Sequence, residues 1–112
     1  MSSSNYARGS AFERKVRQEL LHCDEVVHVI RSAGSKGAVD LAVFLDGIVL
    51  WIQCKTFGVP TYNERRSLAR LAERAGTIAV VAWRGDGGIK YGILDETGAF
   101  KRYGIDVAEL FY

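Results

Sequence analysis

Two apolar runs meet at a polar pair near the middle of the chain. Residues 40–45 and 48–56 are almost wholly apolar apart from their ends, and Asp46-Gly47 joins them. Such a pair between hydrophobic runs predicts a tight β-hairpin, with both turn residues at positive φ. The two-residue loop sets the register: Leu45 faces Ile48, and continuing the ladder puts Asp40 directly opposite Gln53. Opposed residues of an antiparallel pair hold their Cα atoms about 4.5–5.5 Å apart. Lys55, two residues beyond Gln53, returns to the same face. An acid, an amide and a lysine therefore gather at one end of an apolar hairpin, a pattern that suits a site better than a core.

Around the hairpin the periodicity becomes helical. Phe12, Val16, Glu19/Leu20 and Cys23 recur at helical spacing and predict a helix from Tyr6 or Ser10 through Cys23, with an apolar stripe that needs a sheet to lie on. Residues 1–5 are small and polar and are read as disordered. Ser10-Ala-Phe-Glu13 matches a capping box, so spacing alone leaves Glu13 open between a helix cap and a site residue. Residues 25–31 read as a strand whose His28 is given no role. The segment 32–37, Ser-Ala-Gly-Ser-Lys-Gly, can bring backbone N–H groups and hydroxyls against a phosphate, and it can equally be an ordinary connector.

Downstream of Lys55, residues 56–62 form a loop with the sole proline. Thr61-x-x-Glu64 predicts a cap for a second helix over 63–75, with Leu68, Leu71, Ala72 and Ala75 on its apolar side and Gly76 ending it in the left-handed conformation. The continuous apolar run 77–83 predicts a strand covered on both faces. Residues 84–88 turn the chain, 89–94 return as a strand, 95–98 turn again, and 99–103 add an edge strand. The tail 106–112 ends in Leu110, Phe111 and Tyr112, apolar enough to dock on the core or on a second subunit. The order α-β-β-β-α-β-β is that of an α/β sandwich with a central mixed sheet flanked by helices.

Composition narrows the class without naming a function. At 112 residues the chain makes one domain, and 48% apolar with 25% charged residues is ordinary for a soluble globular protein. No apolar run approaches a membrane span and no signal-peptide segment opens the chain, so no membrane partner and a cytoplasmic, intracellular location are expected. Cys23 and Cys54 lack metal-ligand or redox spacing and are read as reduced thiols; two histidines argue against zinc. The net charge of +2 is mild, but its distribution is uneven. Arg8, Arg14, Lys15 and Arg17 share the first helix, Arg31 and Lys36 flank the approach to the hairpin, and Arg65, Arg66, Arg70 and Arg74 crowd the second helix. Solvated faces are the ordinary meaning of such runs.

A helix with Glu13, a strand-end Asp40, and x-x-Lys on the next strand resemble the PD-(D/E)xK nuclease superfamily. The chain is more closely similar to the archaeal-type Holliday junction resolvases, through Arg8-Gly-Ser-Ala-Phe-Glu13-Arg14, Val29-Ile-Arg31-Ser-Ala-Gly-Ser-Lys-Gly-Ala-Val-Asp40-Leu41 and Ile52-Gln-Cys-Lys55. The likeness covers the first half closely and the rest by order of elements. It implies a restriction-endonuclease-like fold, and a homodimer that binds a four-way DNA junction and makes paired nicks. It also implies Mg²⁺, with Mn²⁺ able to substitute, held by Glu13, Asp40, residue 53 and the main-chain carbonyl of Cys54. Lys55 would stand beside the attacking water. Ser32 and Ser35 both fit the family's loop serine, Ser35 better, and Arg8, Arg14, Arg31 and Lys36 fall at positions that hold DNA. The chemistry agrees, because phosphodiester hydrolysis calls for a hard divalent cation and a positive group at the pentavalent phosphorus.

One position departs from the pattern. Residue 53 is Gln where the family carries Glu, nearly isosteric but uncharged. Some branches of the superfamily carry Q-x-K and remain nucleases; alternatively the amide marks a disabled form. Two other functions stay open beside junction resolution: a junction- or DNA-binding protein without catalysis, and a superfamily nuclease of restriction or repair type.

Overall fold

The computed structural model describes residues 2–32 and 37–111, with side chains from residue 9 onward. Helix α1 (Ser2–Leu21) is followed by strands β1 (His28–Arg31), β2 (Leu41–Leu45) and β3 (Ile48–Lys55), helix α2 (Tyr62–Ala75), strands β4 (Ile78–Gly85), β5 (Gly88–Leu94) and β6 (Phe100–Ile105), and a 3₁₀ turn (Val107–Phe111). The strands form one sheet in the order β1-β2-β3-β4-β5-β6. Only β3 and β4 run parallel, since the α2 crossover joins them; every other neighbour is antiparallel. This is the mixed α/β sheet that the element order implies.

Each helix covers one face. Phe12, Val16 and Leu20 repeat every four residues along α1, are buried, and pack on Leu41, Val43, Leu50, Ile52, Val80 and Ala82. On the other face, Leu68 and Ala72 of α2 meet Ala79, Val81 and Trp83. Strand β4 is thus buried on both faces along Ala79–Trp83, as its continuous apolar run requires. Leu71 and Ala75 are exposed, and Ala69 is buried in their place. Periodicity identified the right helix and misjudged its inward side by about one position, because small alanines mark a stripe weakly.

The hairpin register holds from Leu45↔Ile48 to Leu41↔Ile52. Its turn differs from expectation: only Gly47 has positive φ, at 72°, and Asp46 keeps an ordinary backbone. The left-handed conformation is therefore needed at the second turn position alone. A second Asp-Gly turn, Asp86-Gly87, joins β4 and β5 with Gly85 facing Gly88. At α2 the capping box of Thr61 and Glu64 forms as expected, and Gly76 closes the helix at φ 71°. Arg65 leaves the helix surface to donate to the carbonyls of Gly98 and Pro60, each at 2.9 Å, with its guanidinium 4.5 Å from the centre of the Phe100 ring. It is a structural residue, whereas Arg66, Arg70 and Arg74 are exposed.

Two expectations at the termini change. Helix α1 begins at Ser2, ahead of Tyr6 or Ser10, so residues 2–5 are helical and Ser10 lies inside the helix where it cannot cap it. The polar opening segment lacks an apolar stripe, which is why the pattern does not reveal it. At the other end the tail folds on its own molecule, with Leu110 buried and Phe111 packed against the α1-side core. Tyr112 lies outside the described residues.

Candidate active site

The ladder between β2 and β3 stops one pair short of Asp40. The Asp40 N–H donates to the carbonyl of Ile52 at 2.8 Å, and the Asp40 carbonyl accepts from the N–H of Ser32 at 2.9 Å. Freed from the ladder, the Asp40 carboxylate accepts the main-chain N–H of Cys54 at 2.8 Å. The expected face-to-face pair of Asp40 and Gln53 is thus absent, and Asp40 instead closes the end of the hairpin. N–H and C=O of one strand residue point to the same side, so the Cys54 carbonyl shares this edge.

The Asp40 carboxyl is raised to about 6, chiefly by burial, with the Cys54 N–H lowering it, the nearby Glu13 charge raising it and Arg31 lowering it. Asp40 and Glu13 are therefore close enough for the Glu13 charge to act on the Asp40 carboxyl. Burial, followed by the charges of Asp40 and Glu13, holds the Cys54 thiol well above its ordinary range. A protonated thiol is a poor metal ligand, which leaves the Cys54 carbonyl as the useful atom.

Glu13 projects from α1, where it accepts from Arg31 Nε at 3.0 Å. Arg31 Nη2 donates to the Ser10 hydroxyl at 3.0 Å, and Arg14 Nη1 reaches the same oxygen at 3.3 Å. Ser10 is thus the hub of two arginines, and the capping-box role open to Glu13 is excluded. Gln53 and Lys55 lie on the opposite face, the side covered by α2, since Leu50 and Ile52 belong to the α1 face and side chains alternate. The side-chain oxygen of Gln53 is buried and has no hydrogen-bond partner among the described residues. Lys55 does not point to Asp40; both of its short contacts, at 2.8 Å, go to the Glu64 carboxylate.

The sequence-derived set thus divides around the strand end, with Glu13 and Arg31 on one side, Gln53 and Lys55 on the other, and Asp40 with Cys54 between. Ser32 sits beside Asp40 through its main chain. Ser35, Lys36 and the Arg8 side chain lie outside the described residues. Glu64 was read only as a cap, and no motif spacing could have linked it to Lys55, because a loop and a helix turn intervene. Among the described residues no three His, Cys, Asp or Glu side chains cluster as a metal site. The oxygens at this strand end are the Asp40 and Glu13 carboxylates and the Cys54 carbonyl, with the Gln53 amide oxygen on the α2 side, and oxygens of this kind could hold a hard cation. A concavity of about 450 Å³ opens between the end of α2 and β5–β6, but none of these residues lines it.

The sequence profile of the archaeal Holliday junction resolvases (Hjc) matches residues 4–107. The chain belongs to the archaeal Holliday junction resolvase family. The solved structure of Hjc from Archaeoglobus fulgidus, a Holliday junction resolvase from an archaeal hyperthermophile, is similar at a TM-score of 0.67 and 24% identity. The match covers 91% of this chain and 93% of that one. That likeness carries the fold, the restriction-endonuclease-like arrangement that the sequence suggests. No curated protein matches the chain significantly. Among the described residues no helix is long and apolar enough to cross a membrane.

Proposed function

We propose that this family member is a structure-selective endodeoxyribonuclease that nicks four-way DNA junctions with the help of Mg²⁺, working as a homodimer. The observation that carries the reading is the buried Gln53 oxygen, without a partner among the described residues, next in the chain to the Cys54 N–H that Asp40 holds. An unmet acceptor one residue from Cys54, whose N–H Asp40 holds, fits a cation donor, because leaving it unsatisfied costs roughly 1–3 kcal/mol otherwise. Glu13, Asp40, the Gln53 side-chain oxygen and the Cys54 carbonyl would hold Mg²⁺, with Mn²⁺ substituting. When bound, the cation supplies Lewis-acid polarisation of the phosphate and a lowered pKa for water.

Hydrolysis forms one bond from the water oxygen to phosphorus and breaks one ester bond, and the departing sugar oxygen leaves with a proton. Lys55, as an ammonium group, orients the attacking water and offsets charge gathering on the phosphoryl oxygens. Arg31 holds Glu13 in place and, with Arg14, presents positive charge to the DNA backbone. A two-fold dimer would set two such edges at the separation that paired nicking of a two-fold junction needs.

The neutral Gln53 also favours a second reading, a junction-binding protein that does not cut. Nicking of an immobile four-way junction in Mg²⁺ separates the two, comparing the chain with Gln53→Glu, Lys55→Ala and a linear duplex. Cleavage by the chain itself, abolished in Lys55→Ala and much slower on duplex, is expected. Binding without cleavage in every variant would leave only the second reading, and equal rates on duplex would remove junction selectivity.

A further inference from the structure

Gln53 cannot neutralise the lysine two residues along its own strand, and another element supplies the missing charge. Lys55 Nζ lies 2.8 Å from each Glu64 oxygen, and Glu64 Oε1 also accepts the Thr61 N–H at 2.9 Å. The Glu64 main chain is fixed in turn, its N–H donating to the Thr61 hydroxyl at 3.2 Å. One carboxylate is therefore held from the helix cap and grips the lysine with both oxygens. Its acid is strengthened by Lys55 first and by the Thr61 N–H second, so it stays ionised. With both side chains 33% exposed, the pair contributes little to folding stability. What it does supply is a fixed place for an amine on an otherwise flexible four-carbon stem.

We propose that Glu64 is the positioning residue for Lys55, supplying its counter-charge from α2. The catalytic consequence rests on the nuclease reading above; the grip on Lys55 does not.

Glu64→Gln is the discriminating variant. Glutamine still completes a capping box, so the helix keeps its start while the charge is removed. Thr61→Ala does the reverse, losing the hydroxyl cap but keeping the carboxylate and the main-chain N–H that holds it. In the full chain without DNA or metal, the ¹⁵N ammonium resonance of Lys55, slowed in exchange by its carboxylate, is expected in the parent and in Thr61→Ala. It should vanish in Glu64→Gln while Tm hardly moves. In Mg²⁺, Glu64→Gln is expected to slow single-turnover junction nicking about tenfold or more, the scale of a lost charge-assisted contact, with junction Kd unchanged. Thr61→Ala should lower Tm and cut close to the parent rate. An ammonium signal that survives in Glu64→Gln, or nicking by that variant at the parent rate or faster, overturns the proposal. A parent that never nicks would defeat the nuclease reading alone, and the resonance would still decide whether Glu64 holds Lys55.

Discussion

Asp40 accepts the main-chain N–H of Cys54 through its own carboxylate, at 2.8 Å, just where the β2–β3 ladder has ended. A side chain thereby does the work of a further ladder pair, satisfying a donor that would otherwise be orphaned where the β2–β3 ladder ends. The cost is a partly buried acid whose carboxyl is raised from 3.8 to about 6, chiefly by burial. Between these values the folded protein binds more protons than the unfolded chain, so metal-free stability falls as pH rises through the window and is level above it. Asp40→Asn keeps an oxygen for Cys54 and removes the charge. In chelator near neutral pH it is expected to raise stability by about 1–2 kcal/mol, discounted for the partial exposure of the group. Thermal unfolding of both proteins across that window checks this, and identical pH profiles would refute it.

A second buried polar contact ties the helix that carries Glu13 to the sheet. Tyr91 is fully buried in β5, and its hydroxyl donates to Glu19 of α1 at 2.8 Å. Burial first and the Glu19 contact second hold the phenol far above its ordinary range, so it remains a donor at any usable pH. Tyr91→Phe leaves the part-buried Glu19 without this partner and is expected to cost about 1–2 kcal/mol in urea unfolding. Junction binding should persist once the variant is folded. A variant as stable as the parent would mean that water replaces the phenol without loss.

How much of this was legible in the chain depends on whether local physics or long-range packing decides. The hairpin register, the Thr61 cap, the Gly76 stop and the doubly buried β4 follow from turn chemistry and periodicity, and all four are present. Asp40 stands out in the chain as an acid at an apolar strand end, whereas spacing leaves Glu13 open between a cap and a site and only the family resemblance singles it out. Glu64 was seen only as a cap, since its contact with Lys55 depends on where the β3–α2 loop places the helix. The Asp40–Gln53 pairing failed for the converse reason. Extending an ideal ladder takes no account of a carboxylate that finds a better donor in Cys54.

The Gln53 oxygen yields the sharpest test of the site, because it is buried and unmet. Methionine at this position matches glutamine in length and brings no acceptor to satisfy. Gln53→Met is therefore expected to gain about 1 kcal/mol of stability in chelator, by relieving the orphaned oxygen. If that oxygen is a cation donor, the same variant should lose much of the Tm increase that millimolar Mg²⁺ gives the parent, through the mass-action stabilisation of a ligand that binds only the folded state. Gln53→Glu should move both readings the other way: less stable in chelator, where a charged oxygen takes the place of the buried amide oxygen, and more responsive to Mg²⁺. These shifts require neither DNA nor turnover, so thermal unfolding with and without the cation measures the donor set directly. A methionine variant with an undiminished Mg²⁺ response would exclude residue 53 from that set, leaving Asp40, Glu13 and the Cys54 carbonyl to hold the ion without it.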